Sequence, residues 1–228
     1  MLLFDIDGTL VKTGGAGKAA FEHAFKQELS IDNPFEGLHL SGMMDAAIID
    51  QVVEGHLNRK ATPEDHEAIR RSYIGRMGLE MELYRDRFKT LEGPPPLLLA
   101  LKKAGCHLGL ATGNYVEVAK LKLEVAGLWS FFDFGGYGTD ATLRPEMTRI
   151  AIERGLRHAK APISMDRIWV IGDSPKDVQA ARANGVRCLA VASGWTSAED
   201  LALEEPDAVL QDLSDLVGVL ELFGIESD

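Results

Sequence analysis

The sequence predicts an α/β protein with a doubly wound, Rossmann-like parallel sheet and a helical domain inserted after the first strand. Short apolar runs typical of buried strands alternate with segments of helical periodicity along most of the chain. Strands that alternate with helices pair in parallel through right-handed crossovers, which place helices on both faces of an open sheet. With 228 residues, 46% of them hydrophobic, the chain can bury a large core without disulfides or a structural metal.

Five apolar runs are the predicted strands. They occupy residues 2–8, 106–111, 131–134, 167–173 and 187–191. Four of these five runs are followed by a helical pattern with recognisable ends. In one of these helices Ser174 is the predicted N-cap, Pro175 occupies the first helical position, and Gly185 follows the end.

Residues 14–92 break the alternation and are predicted to be helical. Three apolar stripes at helical spacing run through this segment, and Thr62 opens the third helix as the first residue of a capping box would. Glycine and proline punctuate both ends of the segment, where Gly14 to Gly17 and Gly93 are the expected hinges. The expected domains are a catalytic core of residues 1–13 and 93–228 and a helical cap of residues 14–92.

Composition excludes several classes of partner. The 24 Lys and Arg residues are outnumbered by 35 Asp and Glu, and this net charge of −11 disfavours nucleic acid as a general partner. The longest stretch without a charged residue, 104–116, is shorter than the roughly 18 residues needed to span a bilayer. Cys106 and Cys188 fit no metal or disulfide pattern, and acidic residues stand where a signal peptide would be apolar. We therefore expect a cytoplasmic monomer or homodimer that binds neither nucleic acid nor membrane.

The ends of the predicted strands carry the candidate functional residues. Asp5 and Asp7 close the first strand, Thr112 and Asn114 follow the second, and Asp173 follows the fourth. Ligands of such sheets bind at the carboxyl ends of the strands, so these side chains are expected to converge. A single aspartate there is also compatible with a helix cap or a turn. Several carboxylates at one edge repel each other unless a divalent cation joins them, and hard oxygen ligands favour Mg²⁺.

Four motifs resemble those of the haloacid dehalogenase superfamily. Residues 5–10 read DIDGTL and resemble its first motif, and residues 111–114 read ATGN and resemble the second, whose hydroxyl residue holds phosphate. Arg144, followed by proline, lies where the basic residue of the third motif is expected, and residues 172–177 resemble the acidic fourth motif. The match extends from residue 1 to about residue 195, and the combination is far more specific than any single motif.

The resemblance implies a nucleophile, an acid–base residue and a metal site. Asp5 would attack phosphorus, while Asp7 would protonate the leaving oxygen and later activate the hydrolytic water. The carboxylates of Asp5 and Asp173 and the main-chain carbonyl of Asp7 would hold Mg²⁺. Asp177 would be an outer or water-bridged partner of the same ion.

The resemblance also implies a set of groups that bind the phosphoryl oxygens. They are Thr112, the Gly113 amide, Asn114 and Arg144. Arg144 would in addition act in catalysis, because it neutralises the charge that spreads over these oxygens in the transition state. Most members of the superfamily have Lys at this position, and the planar fork of Arg differs from a point charge.

Asp7 and the inserted segment narrow the expected activity. The dehalogenases that give the superfamily its name lack the second acid, so Asp7 favours hydrolysis of phosphate esters. The position of the cap resembles that of phosphoglycolate phosphatases and phosphoglucomutase-like enzymes, although residues 11–18 lack the serine–aspartate pattern common in the former. We expect Mg²⁺-dependent hydrolysis of a small phosphorylated metabolite such as phosphoglycolate, a sugar phosphate or a nucleotide. The alternatives are a phosphosugar mutase and a receiver-like, phosphate-responsive binding module.

Overall fold

A computed structural model describes residues 1–225 of the chain, and within them it contains eight strands and nine α-helices. The strands are β1 (Leu2–Phe4), β2 (Val11–Lys12), β3 (Lys89–Thr90), β4 (Leu108–Ala111), β5 (Phe134–Gly136), β6 (Trp169–Gly172), β7 (Arg187–Val191) and β8 (Ala208–Leu210). The helices are α1 (Ala16–Leu29), α2 (Asp45–Leu57), α3 (Pro63–Leu83), α4 (Pro94–Lys103), α5 (Val116–Val125), α6 (Arg144–Ala159), α7 (Pro175–Ala183), α8 (Ala198–Ala202) and α9 (Leu216–Leu222). No helix in this part of the chain is long and apolar enough to cross a membrane.

Six of the strands form one parallel sheet in the order β5-β4-β1-β6-β7-β8. From β1 the chain moves outward through β4 and β5 on one side, and then returns to β6, β7 and β8 on the other. The predicted doubly wound α/β fold is confirmed. Strand β1 lies where the strand order reverses, and in such sheets ligands bind at that point.

The side chains of β1 alternate between two hydrophobic layers. Leu2 and Phe4 belong to the cluster that includes residues of α4, α5 and α9, whereas Leu3 belongs to the cluster that includes residues of α6, α7 and α8. Successive residues of a strand point to opposite faces, so a strand covered on both sides must be apolar throughout. All three residues are at most 2% exposed. The loop that follows β1 is therefore supported from both faces of the sheet.

The helices α1, α2 and α3 pack around a third hydrophobic cluster. The rings of Phe21 and Tyr73 stack within it, with their centroids 3.7 Å apart. Tyr115 and Val118, at the start of α5, belong to the same cluster. The three helices predicted from the apolar stripes are all present, and they rest directly on the part of the protein that carries the sheet.

The two segments that connect these helices to the sheet pair with each other. Strands β2 and β3 form an antiparallel ladder in which Val11 lies opposite Thr90. The predicted hinge at residues 14–17 is too long, because Gly17 lies inside α1, and only Gly14 and Gly15 have positive φ, 65° and 111°. Gly93 has helical backbone angles and abuts the backbone of Leu213. Close packing therefore explains this glycine better than torsional freedom does.

The predicted third strand, 131–134, was placed too early. The structure has a 3₁₀ turn at Trp129–Phe131, and the strand runs from Phe134 to Gly136. A β-carbon on Gly136 would collide with the backbone of α6 at Met147, so helix packing requires a glycine that strand propensity disfavours. Strand β8, at the edge of the sheet, is not among the five predicted strands.

The capping box predicted at Thr62 is present at the start of α3. The Thr62 hydroxyl accepts a hydrogen bond from the Asp65 amide at 3.2 Å, and the Asp65 carboxylate accepts one from the Thr62 amide at 2.8 Å. Arg59 donates to the same carboxylate at 2.5 and 3.0 Å and holds its pKa below the usual value. The side chains of Thr62 and Asp65 therefore determine where α3 begins.

We expect Thr62→Ala to lower the free energy of unfolding by about 1 kcal/mol, because an N-cap hydroxyl contributes roughly that much. For a domain of this size the melting temperature should fall by roughly 2–4 °C. Thermal unfolding followed by circular dichroism measures the effect. Thr139→Ala, which changes an exposed turn residue, is the matched control. Equal melting temperatures for the two variants would contradict the capping role.

Candidate active site

Three adjacent strands bring the predicted site residues to one edge of the sheet. Asp5 follows β1, Thr112 follows β4 and Asp173 follows β6, and β1 lies between the other two strands. Backbone hydrogen bonds continue the pairing past the strand ends. The Asp5 amide donates to the Ile171 carbonyl at 2.8 Å, and the Thr112 amide donates to the Gly136 carbonyl at 3.1 Å. The expected convergence at the carboxyl edge is present.

Three buried carboxylates form a cluster at this edge. Asp5, Asp173 and Asp177 each place one oxygen within 4.8 Å of the others, and none of them is more than 4% exposed. Burial, together with the charges of Asp5 and Asp177, raises the pKa of Asp173 to about 8. Burial also raises the pKa of Asp5 to about 6, although the guanidinium of Arg144 opposes the rise. When all three carboxylates are ionised, their negative charge therefore exceeds the positive charge of Arg144.

Asp177 uses both of its oxygens within the protein. Its Oδ1 accepts from Arg144 Nε at 3.0 Å and from Nη2 at 2.6 Å. Its Oδ2 accepts from the Ser174 amide at 3.1 Å and from the Ser174 hydroxyl at 2.7 Å, which caps α7. Asp177 therefore orients Arg144 and starts a helix, an arrangement that suits the outer position expected for it.

Arg144 links the carboxylates to the inserted segment. It begins α6, is 6% exposed, and places Nη2 2.9 Å from Asp5 Oδ2. Its Nη1 donates to the carbonyl of Gly42 at 3.2 Å. Burial disfavours its charge, but Asp177 and Asp5 outweigh that effect and hold the pKa of Arg144 above its usual value. A single guanidinium thus contacts two acidic residues and the backbone of the inserted segment.

Asp7 lies apart from the buried cluster and retains contact with solvent. Its side chain is 43% exposed, and its carboxylate accepts from Asn114 Nδ2 at 2.8 Å. It also accepts from Lys122 Nζ at 2.9 Å for Oδ1 and 2.7 Å for Oδ2. Asp5 and Asp7 are therefore paired with different cations, the first with Arg144 and the second with Lys122.

Sequence reasoning missed Lys122. Lysines on helices are mostly solvated, whereas this side chain in α5 is 4% exposed. The spacing of the apolar residues in α5 could have identified it. Lys122 lies four residues after Val118 and three after Ala119, both of which are fully buried, so it falls on the apolar face of α5. A charged residue in an apolar stripe indicates a buried ionic partner.

The loop after β4 is folded onto its own side chains. Thr112 is fully buried, and its hydroxyl accepts from the Asn114 amide at 3.3 Å and from Asn114 Nδ2 at 2.8 Å. Because Asn114 Nδ2 also bonds Asp7 and its Oδ1 accepts from Lys122, the Asn114 side chain is engaged within the protein. Three of the four predicted phosphate-binding residues therefore share this loop, but the Asn114 side chain is directed at Asp7.

The chain before α2 covers this loop. A β-carbon on Gly113 would lie 2.5 Å from the Met43 carbonyl oxygen, so the two backbones are in direct contact. The Asp45 amide donates to the Gly113 carbonyl at 2.9 Å, and the Asp45 carboxylate accepts from the Tyr115 amide at 2.8 Å. Burial raises the pKa of Asp45 to about 7, although Lys122 opposes the rise. Sequence reasoning gave no role to residues 42–45, because nothing in their pattern marks them.

The carboxylates of Asp5 and Asp173 fit a divalent metal ion. The raised pKa of Asp173 reflects burial and neighbouring negative charge, and within residues 1–225 no hydrogen bond offsets these effects. A hard cation between the two oxygens would supply the missing charge, and Mg²⁺ prefers carboxylate oxygens. The donor set is consistent with the expected ion.

A family model described as "Haloacid dehalogenase-like hydrolase" matches residues 2–191 of the chain. The chain belongs to this family. The resemblance inferred from the four motifs is therefore confirmed. The match covers β1, the inserted helices and the strands through β7.

Curated relatives span nearly the whole chain. "Probable phosphatase IndB" of Dickeya dadantii is 29% identical over 96% of this chain and 92% of its own length. The pyrophosphatase PpaX of Bacillus velezensis is 28% identical over 96% and 94%, and a phosphoglycolate phosphatase of Pseudomonas savastanoi is 25% identical over 97% and 80%. The prediction of a haloacid dehalogenase-like phosphoric monoester hydrolase is confirmed at the level of enzyme class.

Solved structures share the fold. CbbY from Rhodobacter sphaeroides in complex with phosphate superposes with a TM-score of 0.73 at 22% identity, covering 94% of this chain and 95% of its own. A hydrolase from Pseudomonas syringae gives a TM-score of 0.71 at 20% identity and covers 97% of both chains. At these identities the similarity supports the haloacid dehalogenase fold alone.

We expect Mg²⁺ at about 100 times its Kd to raise the melting temperature by roughly 5–10 °C, because binding then contributes about 2.7 kcal/mol. Asp173→Asn should remove this shift. An acid whose pKa rises on folding destabilises the native state as pH rises from about 4 to about 8. Metal-free Asp173→Asn should therefore melt above metal-free wild type at pH 8.

Differential scanning fluorimetry with and without EDTA checks both expectations. Asp86→Asn, which changes an exposed acid distant in sequence from the cluster, is the matched control and should keep the shift. A Mg²⁺ shift of equal size in Asp173→Asn and wild type would contradict the assignment of this ligand.

Proposed function

We propose that the chain is a Mg²⁺-dependent phosphatase that hydrolyses a small phosphomonoester through a phosphorylated Asp5. One observation carries the proposal. The buried carboxylates of Asp5 and Asp173 converge beside the guanidinium of Arg144, while the solvent-accessible Asp7 lies two residues from Asp5. This set would supply a nucleophile, a metal ligand, a group that binds the phosphoryl oxygens and a group that carries the proton, all at one edge of the sheet.

Asp5 acts as the nucleophile in the first step. Its oxygen forms a bond to phosphorus while the bond from phosphorus to the ester oxygen breaks. The bonding electrons go to the leaving oxygen, which takes a proton from Asp7. The ion pair between Asp5 Oδ2 and Arg144 Nη2, 2.9 Å long, orients the attacking carboxylate.

Water completes the reaction in the second step. Asp7, now ionised, takes a proton from water as the water oxygen attacks phosphorus. The bond between phosphorus and Asp5 breaks, the carboxylate is restored, and inorganic phosphate leaves. The 43% exposure of the Asp7 side chain suits this role, since it must meet both leaving group and water.

Thr112, the Gly113 amide and Arg144 bind the phosphoryl oxygens. The Thr112 hydroxyl accepts from Asn114, so its own proton is available to a ligand. Arg144 Nη1 has two hydrogens and donates one to Gly42. Mg²⁺ held by the Asp5 and Asp173 carboxylates and the Asp7 carbonyl would neutralise charge on the phosphoryl group.

Residues 14–92 form a cap that selects the substrate, and residues 42–45 are the part of it that closes the site. Backbone contact at Gly113 and the bond from Arg144 to Gly42 bring this segment directly against the site residues, which supports a small phosphorylated metabolite as substrate. The names of the relatives, a pyrophosphatase and a phosphoglycolate phosphatase, point to small anionic substrates. Closure would exclude water while the ester bond breaks.

We expect purified protein with Mg²⁺ to release phosphate from at least one member of a panel of phosphoglycolate, pyrophosphate, sugar phosphates and nucleotides. Asp5→Asn should lower release to background and keep the wild-type melting temperature within a few degrees, because the amide preserves shape but is not nucleophilic. Asp86→Asn should retain full activity. Turnover by Asp5→Asn would contradict the nucleophile assignment.

The same assay separates the alternatives. A phosphosugar mutase would convert a sugar phosphate to its isomer with little free phosphate. A receiver-like module would bind phosphate analogues without turnover of any ester. Either result would replace hydrolysis as the reaction of this site.

We expect Gly113→Ala to hold the cap away from the site, because the new methyl group would overlap the Met43 carbonyl. Displacement of binding groups by about 1 Å can cost roughly 100-fold, so kcat/KM should fall by about that factor. Small-angle scattering should report a larger radius of gyration. Gly55→Ala in α2, where a methyl group meets nothing within 4 Å, is the matched control. Wild-type kcat/KM in Gly113→Ala would contradict the closed cap.

A further inference from the structure

We infer that Lys122 is a positioning residue that fixes the carboxylate of Asp7 for acid–base catalysis, with Asn114 as the bridge between them. The inference rests on the proposed function. Neither the motifs nor the comparisons single out this lysine. Its case depends on three features: hydrogen-bond saturation, burial, and the separate pairing of Asp5 and Asp7.

The ammonium group of Lys122 has no donor left for a substrate. A lysine ammonium has three N–H donors, and here they reach Asp7 Oδ1 at 2.9 Å, Asp7 Oδ2 at 2.7 Å and Asn114 Oδ1 at 2.6 Å. Asn114 in turn donates through Nδ2 to Asp7 Oδ2 at 2.8 Å. These four bonds close a ring of three side chains. The lysine therefore acts on Asp7 and not on the phosphoryl group.

Structural stability alone does not explain this arrangement. The Lys122 side chain is 4% exposed, and removing an ammonium from water is costly even when it is paired. A methionine would fit the apolar face of α5 and would not require an ionic partner. Asp7 keeps contact with solvent and would not become a buried, unpaired charge if Lys122 were removed. Removal would also take away the charge that opposes the raised pKa of the buried Asp45 and the donor to Asn114 Oδ1, so Lys122 contributes to stability as well as to the orientation of Asp7.

Asp7 needs such support because, within residues 1–225, its carboxylate is otherwise held by a single hydrogen bond from Asn114. It follows the end of β1 and has only an isolated bridge to Val11 in the backbone. A half-exposed carboxylate would otherwise sample several rotamers. Bonds to both oxygens select one of them, and Lys122 reaches Asp7 from α5, which packs on the sheet. Lys122 therefore holds Asp7, the proposed proton carrier, while Arg144 pairs separately with Asp5.

The test compares Lys122→Met with Lys120→Met, an exposed lysine on the same helix whose side chain is 53% exposed. We expect Lys122→Met to lower kcat on the best alkyl phosphomonoester by about 10²–10⁴-fold, the range of general acid–base catalysis. KM should change by less than about threefold, because no substrate contact is lost. Lys120→Met should match wild type in activity and melting temperature, whereas Lys122→Met should remain folded with a lower melting temperature, because Asn114 Oδ1 loses its donor.

A leaving group that needs no proton isolates the role of Asp7. With p-nitrophenyl phosphate, Lys122→Met should retain a rapid burst of about one p-nitrophenol per active site and then turn over slowly, because only the second step needs the base. Lys122→Met added to Asp7→Asn should cause almost no further loss, since residues that act as a unit are not additive. A general weakening of the fold would slow the burst as well and would add to the Asp7→Asn defect.

Each of the following results either supports or overturns the positioning role of Lys122. Crystal structures of wild type and Lys122→Met should place the Asp7 carboxylate in different positions, and an unmoved carboxylate would overturn the inference whatever the activity. An active wild type with an equally active Lys122→Met would overturn the inference alone. A wild type that releases phosphate from no ester would overturn the proposed function and the inference with it.

Discussion

The balance of buried charge at the carboxyl edge of the sheet is the constraint on which the rest of the site depends. Asp5, Asp173 and Asp177 are almost fully buried, and the single guanidinium of Arg144 lies among them. Buried carboxylates are stable only when they are paired, hydrogen-bonded or bound to metal. Asp177 satisfies this requirement through Arg144 and Ser174, whereas Asp173 has no such partner within residues 1–225. The raised pKa of Asp173 shows that its negative charge is unfavourable there, and a bound cation would stabilise it.

The parallel sheet makes this arrangement possible because both of its faces are covered. Leu3 and Phe4 anchor β1 in opposite hydrophobic layers, so the loop that starts at Asp5 leaves a fixed point. The neighbours β4 and β6 then bring Thr112 and Asp173 beside it. Functional groups on loops with such support can be held precisely enough for catalysis, while the covering segment around Gly42 remains free to differ in sequence among proteins of one fold.

Sequence reasoning predicted most of the candidate site because its residues lie in short motifs at strand ends. Asp5, Asp173 and Thr112 are each read from the few residues around them, and one rule about parallel sheets brings them together. Lys122 and Asp45 were not predicted, because the contacts that bring them to the candidate site join residues more than 60 positions apart in the chain. The misplaced third strand has a similar cause. Close packing of β5 against α6 requires a glycine at position 136, and local propensity does not report such packing.

The two cations of the site are suited to different tasks, and this explains why an arginine occupies position 144. The guanidinium presents its donors in a rigid fork, so Arg144 contacts Asp177, Asp5 and the Gly42 carbonyl at the same time. An ammonium at that position has three donors and no planar geometry, and it would have to give up one of these contacts to meet a phosphoryl oxygen. Arg144 retains one N–H that these contacts do not use, while it connects Asp5 to the inserted segment. The position of residues 42–45 and the orientation of Asp5 are therefore coupled through one side chain.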